Sequence, residues 1–576
     1  MGFTRPLYSL TDVLRSIESG AIQLPDYQRE FAWNDAQIRS LLVAVLRGYP
    51  IGNFLALDYK HSDITLATRT VTGQPTDVKP HTLLLNGQAR LMTLYSCLWG
   101  DGLVRTRDTR GKKITRRFVV NLHEAIKGDE MPDGAVMALG ADEAIPAGCL
   151  PLAVLLTDDV TRELFAQDDR ELSSKFFRRV VLAVQMFQLR VVTLDEQVPL
   201  GAVGTIFEKH TGRSVFELLT ARYAADTEFQ SREGHAFRLD DDYAATQAVV
   251  NEFPVLQSVT QNDFLQAVSL LHSSEHDQQT SALRADVLSM SLDSYLGSAD
   301  RIRAALRWVP EFLAGLCIFE ANDVPYPAQL IALAVLRAKL GPRAEEPMVL
   351  ERLQQWFWAG ALGELYAAET KARFANDVDT VPAWATGTAA TLPITITDSM
   401  LYTSRLLSLH RDEPGIRALV ALLLANGAVD WRSGEQVDQN NFARLDIRLA
   451  QIFTDRVAAE QGIDPAVVHG ILNKTPVSAR TAELMDGITP GRWIGRVEAK
   501  AHAPGEELNA MLASHCLDVT ALRESNMAAF AQHRIECLAD LVADRTMVRV
   551  IRDADADSVF TASTRTDLVE GPAAFA

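Results

Sequence analysis

The sequence predicts an α+β chain of about three domains, on three observations. A strand–turn–helix signal stands near the start, in Leu83-Leu-Leu-Asn-Gly-Gln-Ala-Arg-Leu-Met-Thr-Leu-Tyr95. Beyond Asp240 helix follows helix, and 576 residues exceed what one hydrophobic core organises. The balance of 47% hydrophobic and 23% charged residues is that of an ordinary soluble globular protein. The expected domains are 1–235 around the early turn, 236–400 as a helical domain, 401–545 as a C-terminal domain, and a tail over 546–576.

Taken in order, Leu10, Val13, Leu14 and Ile17 recur at helical spacing, so residues 10–20 read as an amphipathic helix, with a cap at Thr11-Asp12 and a stop at Gly20. Ile38, Leu41, Leu42, Val45 and Leu46 mark a second helix over 35–48, broken by Gly48-Tyr-Pro-Ile-Gly52. Residues 53–59 and 82–85 read as strands, and 91–98 as the helix after the turn. From Leu164 to about Ala225 the text is helical around a strand at 189–194, which completes the first domain. The helices expected next are 243–252, 260–272, 283–290, 298–319, 329–340 and 351–368, with no fixed repeat period. Pro382 and Pro393 make 376–397 read as loop, after which helices resume to about Ala543, and 553–576 reads as a peripheral extension.

No run of about 18 uncharged apolar residues occurs and the start lacks a signal-peptide core, so no membrane partner and a cytoplasmic location are expected. The five scattered cysteines form no Cys-x-x-Cys pair, which argues against structural zinc and suits a reducing compartment. The net charge of −18 repels nucleic-acid phosphate on average, so any such contact needs a local basic patch. Residues 105–117 supply one: Arg105, Arg107, Arg110, Lys112, Lys113, Arg116 and Arg117 surround a single acid, Asp108. Gly111 and the apolar run after it make this a hairpin tip, read either as a solvated turn or as a phosphate-contacting loop.

The early turn has a physical meaning of its own. Gly87 allows close backbone approach, and the first turn of the following helix offers free N–H groups and the positive end of its dipole to an anion. Arg90 adds a forked cation for the same phosphate.

Pro25-Asp-Tyr-Gln-Arg-Glu-Phe-Ala-Trp33, Gly48-Tyr-Pro-Ile-Gly52 and Asn86-Gly-Gln-Ala-Arg90 stand in the order and spacing of the GmrSD N-terminal domain, which the chain resembles. The resemblance continues through Ile206–Thr220, Trp356–Asp377 and Ile471–Arg480, to about position 545. It implies a ParB/sulfiredoxin-like first domain, a helical middle and an HNH-type C-terminal region, in a modification-dependent anti-phage restriction factor. By motif position it places Gln28, Arg29, Asn86, Gly87, Gln88, Arg90 and Glu208 around a nucleoside triphosphate, with magnesium as its companion. Gln28 and Arg29 also read as a loop anchor packed on Trp33.

The departures narrow this. The family's Asp-Gly-Gln-Gln-Arg is Asn86-Gly-Gln-Ala-Arg90 here, and a neutral amide is neither a general base nor a strong magnesium ligand. Where the family reads Asp-Ile-His-His-Ile-Phe-Pro, with a base and a metal ligand in the His pair, this chain has Leu445-Asp-Ile-Arg-Leu-Ala-Gln-Ile-Phe-Thr454. The later family Asn is Ala482, and no His lies between His410 and His469. The expectation is a nucleotide-binding, restriction-related protein whose HNH region no longer cuts but binds DNA or a protein partner, the partner being another chain or a second copy. The alternatives are a nucleotide-responsive scaffold for a separate effector, and an active endonuclease with unorthodox residues.

Overall fold

The structure is a computed structural model that describes the chain apart from residues 1–2, 5, 27–32, 61–63, 75, 108–111, 196–197, 199–201, 204–205, 207–214, 277–278, 369, 411–412, 502–504 and 561–576. It separates into two compact units, Met1–Asp241 and Asp242–Ala576. The first combines sheets with helices and the second is mainly helical, so the class is α+β. The second unit holds residues 242–545 of the expected helical and C-terminal domains together.

The first unit is built on a mixed sheet of β1 (Phe3–Thr4), β2 (Leu7–Ser9), β3 (Ile22–Pro25), β4 (Phe54–Asp58), β5 (Thr68–Thr70), β6 (Thr82–Asn86) and a late arrival, Gln188–Leu194. A smaller sheet joins β7 (Leu103–Arg107), β8 (Lys113–Asn121), β9 (Val136–Gly140) and β10 (Cys149–Pro151), which makes the late strand β11. The large sheet runs β1-β11-β4-β6-β3-β5, with β2 also on β11. Strand β11 is parallel to β4, setting Val191 beside Phe54, and β4 is antiparallel to β6, setting Ala56 beside Leu84.

Two helices open the unit. In α1 (Leu10–Glu18), Leu10, Val13, Leu14 and Ile17 are all buried, as their spacing predicts. Its cap is Ser9, whose hydroxyl accepts from Asp12 N at 3.4 Å, not Thr11-Asp12 as the sequence suggests; Thr11 is already inside the helix. Helix α2 (Asp35–Leu46) starts with a capping box in which Asn34 and Gln37 exchange bonds of 3.0 and 3.1 Å.

In the second unit the helices Leu292–Ala314, Pro327–Leu340, Pro347–Leu362 and Thr370–Ala385 form the middle of the chain. The last corrects the loop expected over 376–397. Phe374, Val378, Val381 and Ala385 are buried at helical spacing. Pro382 removes one intrahelical donor, and Lys339 Nζ supplies the replacement by donating to the Val378 carbonyl at 3.1 Å. Further on, β12 (Met400–Tyr402) pairs with Arg549–Ile551, and β13 (Ile447–Gln451) forms an antiparallel hairpin with β14 (Lys474–Ser478), followed directly by the helix Ala479–Met485.

Candidate functional site

The turn after β6 begins α3 (Gln88–Leu98), and two glycines fix its shape. Gly87 sits at φ +101, and a Cβ there would lie 2.4 Å from the Phe54 ring. Gly52, at φ +84, would put a Cβ 2.7 Å from Arg90 Nη1. Both positions need a residue without a side chain, for conformation and for space. Between them lies Arg90, with its guanidinium carbon 4.5 Å from the Phe54 ring centroid. Its Nη1 donates to Ile51 O at 2.6 Å and its Nη2 to Asn53 O at 2.9 Å. Burial lowers the Arg90 pKa from the usual arginine range. The Gly48–Gly52 and Asn86–Arg90 motifs, far apart in sequence, therefore dock on each other through one arginine and one phenyl ring.

This arrangement changes the expected part of Arg90. Instead of presenting a whole fork to a phosphate, it clasps the 51–53 backbone and keeps its remaining N–H groups for anything else. Gln88 is also turned inward, 9% exposed, with Nε2 3.5 Å from Met92 Sδ. Asn86 ends β6, half-buried and opposite Leu55. Gln28, Arg29 and Glu208 lie outside the described residues, as does Arg110.

Phe54 and Leu91 also wall a cavity of about 200 Å³ between α1 and the face of the large sheet. Ala56, Leu84 and Val191 give it an apolar floor, while Asp12, Ser16 and His81 bring polar groups to it. Nothing in the sequence announces it, because its floor takes alternate residues from strands that are neighbours only in the folded sheet. The one available signal was the period-two alternation within each strand.

The basic segment forms the predicted hairpin arms, β7 and β8, on either side of residues 108–111. Register divides its cations between two faces. Arg105 and Arg107 pair with Thr115 and Lys113, and Leu103 with Arg117, so Arg105, Arg107, Lys113 and Arg117 share one face. Arg116 lies on the other, where its Nε bonds Asp35 Oδ2 at 3.1 Å at the start of α2. Lys112, just before β8, is exposed. Thr106 Oγ1 donates to the Trp33 carbonyl on that inner side, and Asn34 bridges to Arg107. The inner face thus holds the entry to α2, and Arg116 belongs to that structural set.

In the second unit, Asp446 and Ala482 line the same cleft beside β13. Asn473 does not join them. It is fully buried, its Oδ1 accepts from Phe453 N at 2.8 Å, and its Nδ2 donates to Phe453 O and Val468 O, both at 3.0 Å. Among the described residues, no group of three or more His, Cys, Asp or Glu side chains is placed to hold a metal ion, and no helix is long and apolar enough to cross a membrane.

The first unit is thus a mixed α+β unit in which an interior strand, β6, runs through a left-handed glycine into α3, with a small cavity on the sheet face. Residues 10–223 match the model of the GmrSD restriction endonuclease N-terminal domain. That match gives the first unit a GmrSD-type N-terminal domain and suggests a restriction-related defence protein. It is also 20% identical over 541 residues, 84% of this chain and 86% of the relative, to an uncharacterized protein of Methanocaldococcus jannaschii. That likeness is too long to be contained in the matched domain.

Proposed function

We propose that the first unit binds a nucleoside triphosphate or a similar phosphate ligand, and that the second is a nuclease-derived region retained for binding. The observation that carries the first half is the docking of the two glycine loops around Phe54 and Arg90, at the N-terminus of an eleven-residue helix. That terminus offers backbone N–H groups and a positive dipole to phosphate. The apolar cavity behind Phe54 suits a base; its volume of about 200 Å³ is below the roughly 300–1,000 Å³ usual for a whole ligand, so the phosphates stay outside it.

The donor set fits phosphate better than magnesium. Position 86 carries a neutral amide, so no hydrolytic step is assigned to it. Binding without turnover follows. The basic face of Arg105, Arg107, Lys113 and Arg117 supplies a phosphate-contacting surface for DNA, despite the acidic whole.

The test is titration calorimetry of the full chain with ATP, GTP and inorganic phosphate. A nucleotide is expected to bind, and Arg90→Ala to weaken it roughly tenfold or more through loss of the loop clasp. Unchanged affinity in that variant, with its fold intact by circular dichroism, would sink the assignment of the site.

A further inference from the structure

A cleft of about 1000 Å³ in the second unit is lined by Asp446, Ile447, Arg448, Leu449, Ala450 and Gln451 in unbroken succession. A strand that shows a face contributes every second residue, whereas one that shows its edge contributes each in turn. The hydrogen bonds fix which backbone groups point there. Ala479 N donates to Asp446 O at 3.0 Å and Ile452 N to Asn473 O at 2.9 Å, one at each end of the β13–β14 register. Counting inward by alternation, Arg448 and Ala450 bond to β14, while the amides and carbonyls of Ile447, Leu449 and Gln451 face away from it. The sheet has only these two strands among the described residues.

The two edges of this hairpin are not alike. On β14 the residue opposite Leu449 is Pro476, which has no N–H and so blunts that edge. On β13 there is no proline, and the open edge faces the cleft. The lining also takes Glu483 and Met485 from the helix that follows β14, and Asp486 from its C-cap. The charges are one-sided. Arg448 is matched by Asp446 at 2.8 Å and Arg456 by Glu460 at 3.6 Å, which leaves Asp455, Glu483 and Asp486 as the unbalanced charge of the lining.

We propose that this cleft receives an extended, basic segment of a partner protein, which adds a strand to β13 and sets its Lys or Arg side chains against Asp455, Glu483 and Asp486. Edge amides and carbonyls at every second residue match the backbone of a peptide, and the surplus carboxylates repel a phosphate backbone. The inference rests on reading the second unit as a binding module and is independent of the nucleotide.

Fluorescence anisotropy on the full chain tests it, with a labelled peptide alternating arginine and valine as the probe and a short duplex DNA as the competitor reading. Salt-dependent peptide binding is expected, lost when alternate peptide nitrogens are methylated in one phase and retained in the other. The triple variant Asp455→Asn, Glu483→Gln, Asp486→Asn is expected to weaken it roughly tenfold or more. Equal binding of both methylated peptides, or no effect of the triple variant, overturns the proposal. Duplex DNA binding in this cleft, strengthened by the triple variant and without peptide binding, overturns it too while leaving the binding module in place. Binding of neither probe removes both.

Discussion

The Asn86–Arg90 turn and the β13–β14 hairpin both carry motif residues singled out in the sequence, but they use them differently. At the turn Gly87 and Arg90 pack on Phe54 at a helix N-terminus, and Phe54 in turn walls the cavity. At the hairpin Asn473 is sealed inside, bonded to Phe453 and Val468, while Asp446 and Ala482 face the cleft. A motif residue can touch a ligand or hold a loop. Arg90 holds the 51–53 loop at an exposed turn, and Asn473 holds its loop from inside the core.

The comparison breaks most readily at Gly87. Gly87→Ala forces a Cβ into the Phe54 ring from a left-handed backbone, and a loss of about 3–4 kcal/mol is expected in urea denaturation of the first unit. A loss below about 1 kcal/mol would mean that the turn relaxes and the two loops are not interlocked.

Next in size is a pH effect in the second unit. His515 is enclosed between Val429 O and Thr475 Oγ1, both at 2.8 Å, and burial pushes its pKa down to about 4. Because the carbonyl only accepts, Nε2 carries the hydrogen and Nδ1 accepts from the Thr475 hydroxyl. The unfolded chain takes up a proton near pH 6.5 that the folded chain refuses, so this contribution is present above that pH and lost as pH falls towards 4. The expected loss is up to about 3 kcal/mol, read from urea midpoints across that window. His515→Asn is expected to flatten the slope, and an unchanged slope would place the titrating group elsewhere.

Asn473→Ala leaves the Phe453 amide and two carbonyls without their side-chain partner, and a loss of about 2–3 kcal/mol is expected by thermal melting. If melting is unchanged and only ligand binding suffers, Asn473 is a site residue after all and the contrast with Arg90 fails.

The smallest effects sharpen the division of the basic hairpin. Arg116→Ala, on the inner face against Asp35, is expected to cost about 0.5–1 kcal/mol with little change in DNA binding. Arg105→Ala, on the outer face, is expected to leave stability within about 0.5 kcal/mol and to lower the salt slope of DNA binding by about one. Equal salt slopes in the two variants would end the distinction between the faces.

The helices and strands whose residues pattern locally were legible in the sequence alone. The apolar stripe of α1, the apolar face of α2 and the run through β6 into α3 are each written within a few residues, where propensity and alternation agree. The basic hairpin arms were legible for the same reason, and Gly87 because a tight turn into a helix favours glycine. The helix through Pro382 was not legible, since the donor that replaces the proline's missing N–H comes from Lys339 in another helix. Tertiary structure alone decided that Arg90 clasps Ile51 and Asn53, that Arg116 turns inward while Arg117 does not, and that three strands share a cavity floor. Side-chain type limits what a residue can bond, but partners distant in sequence are chosen by register and packing, which no local pattern encodes.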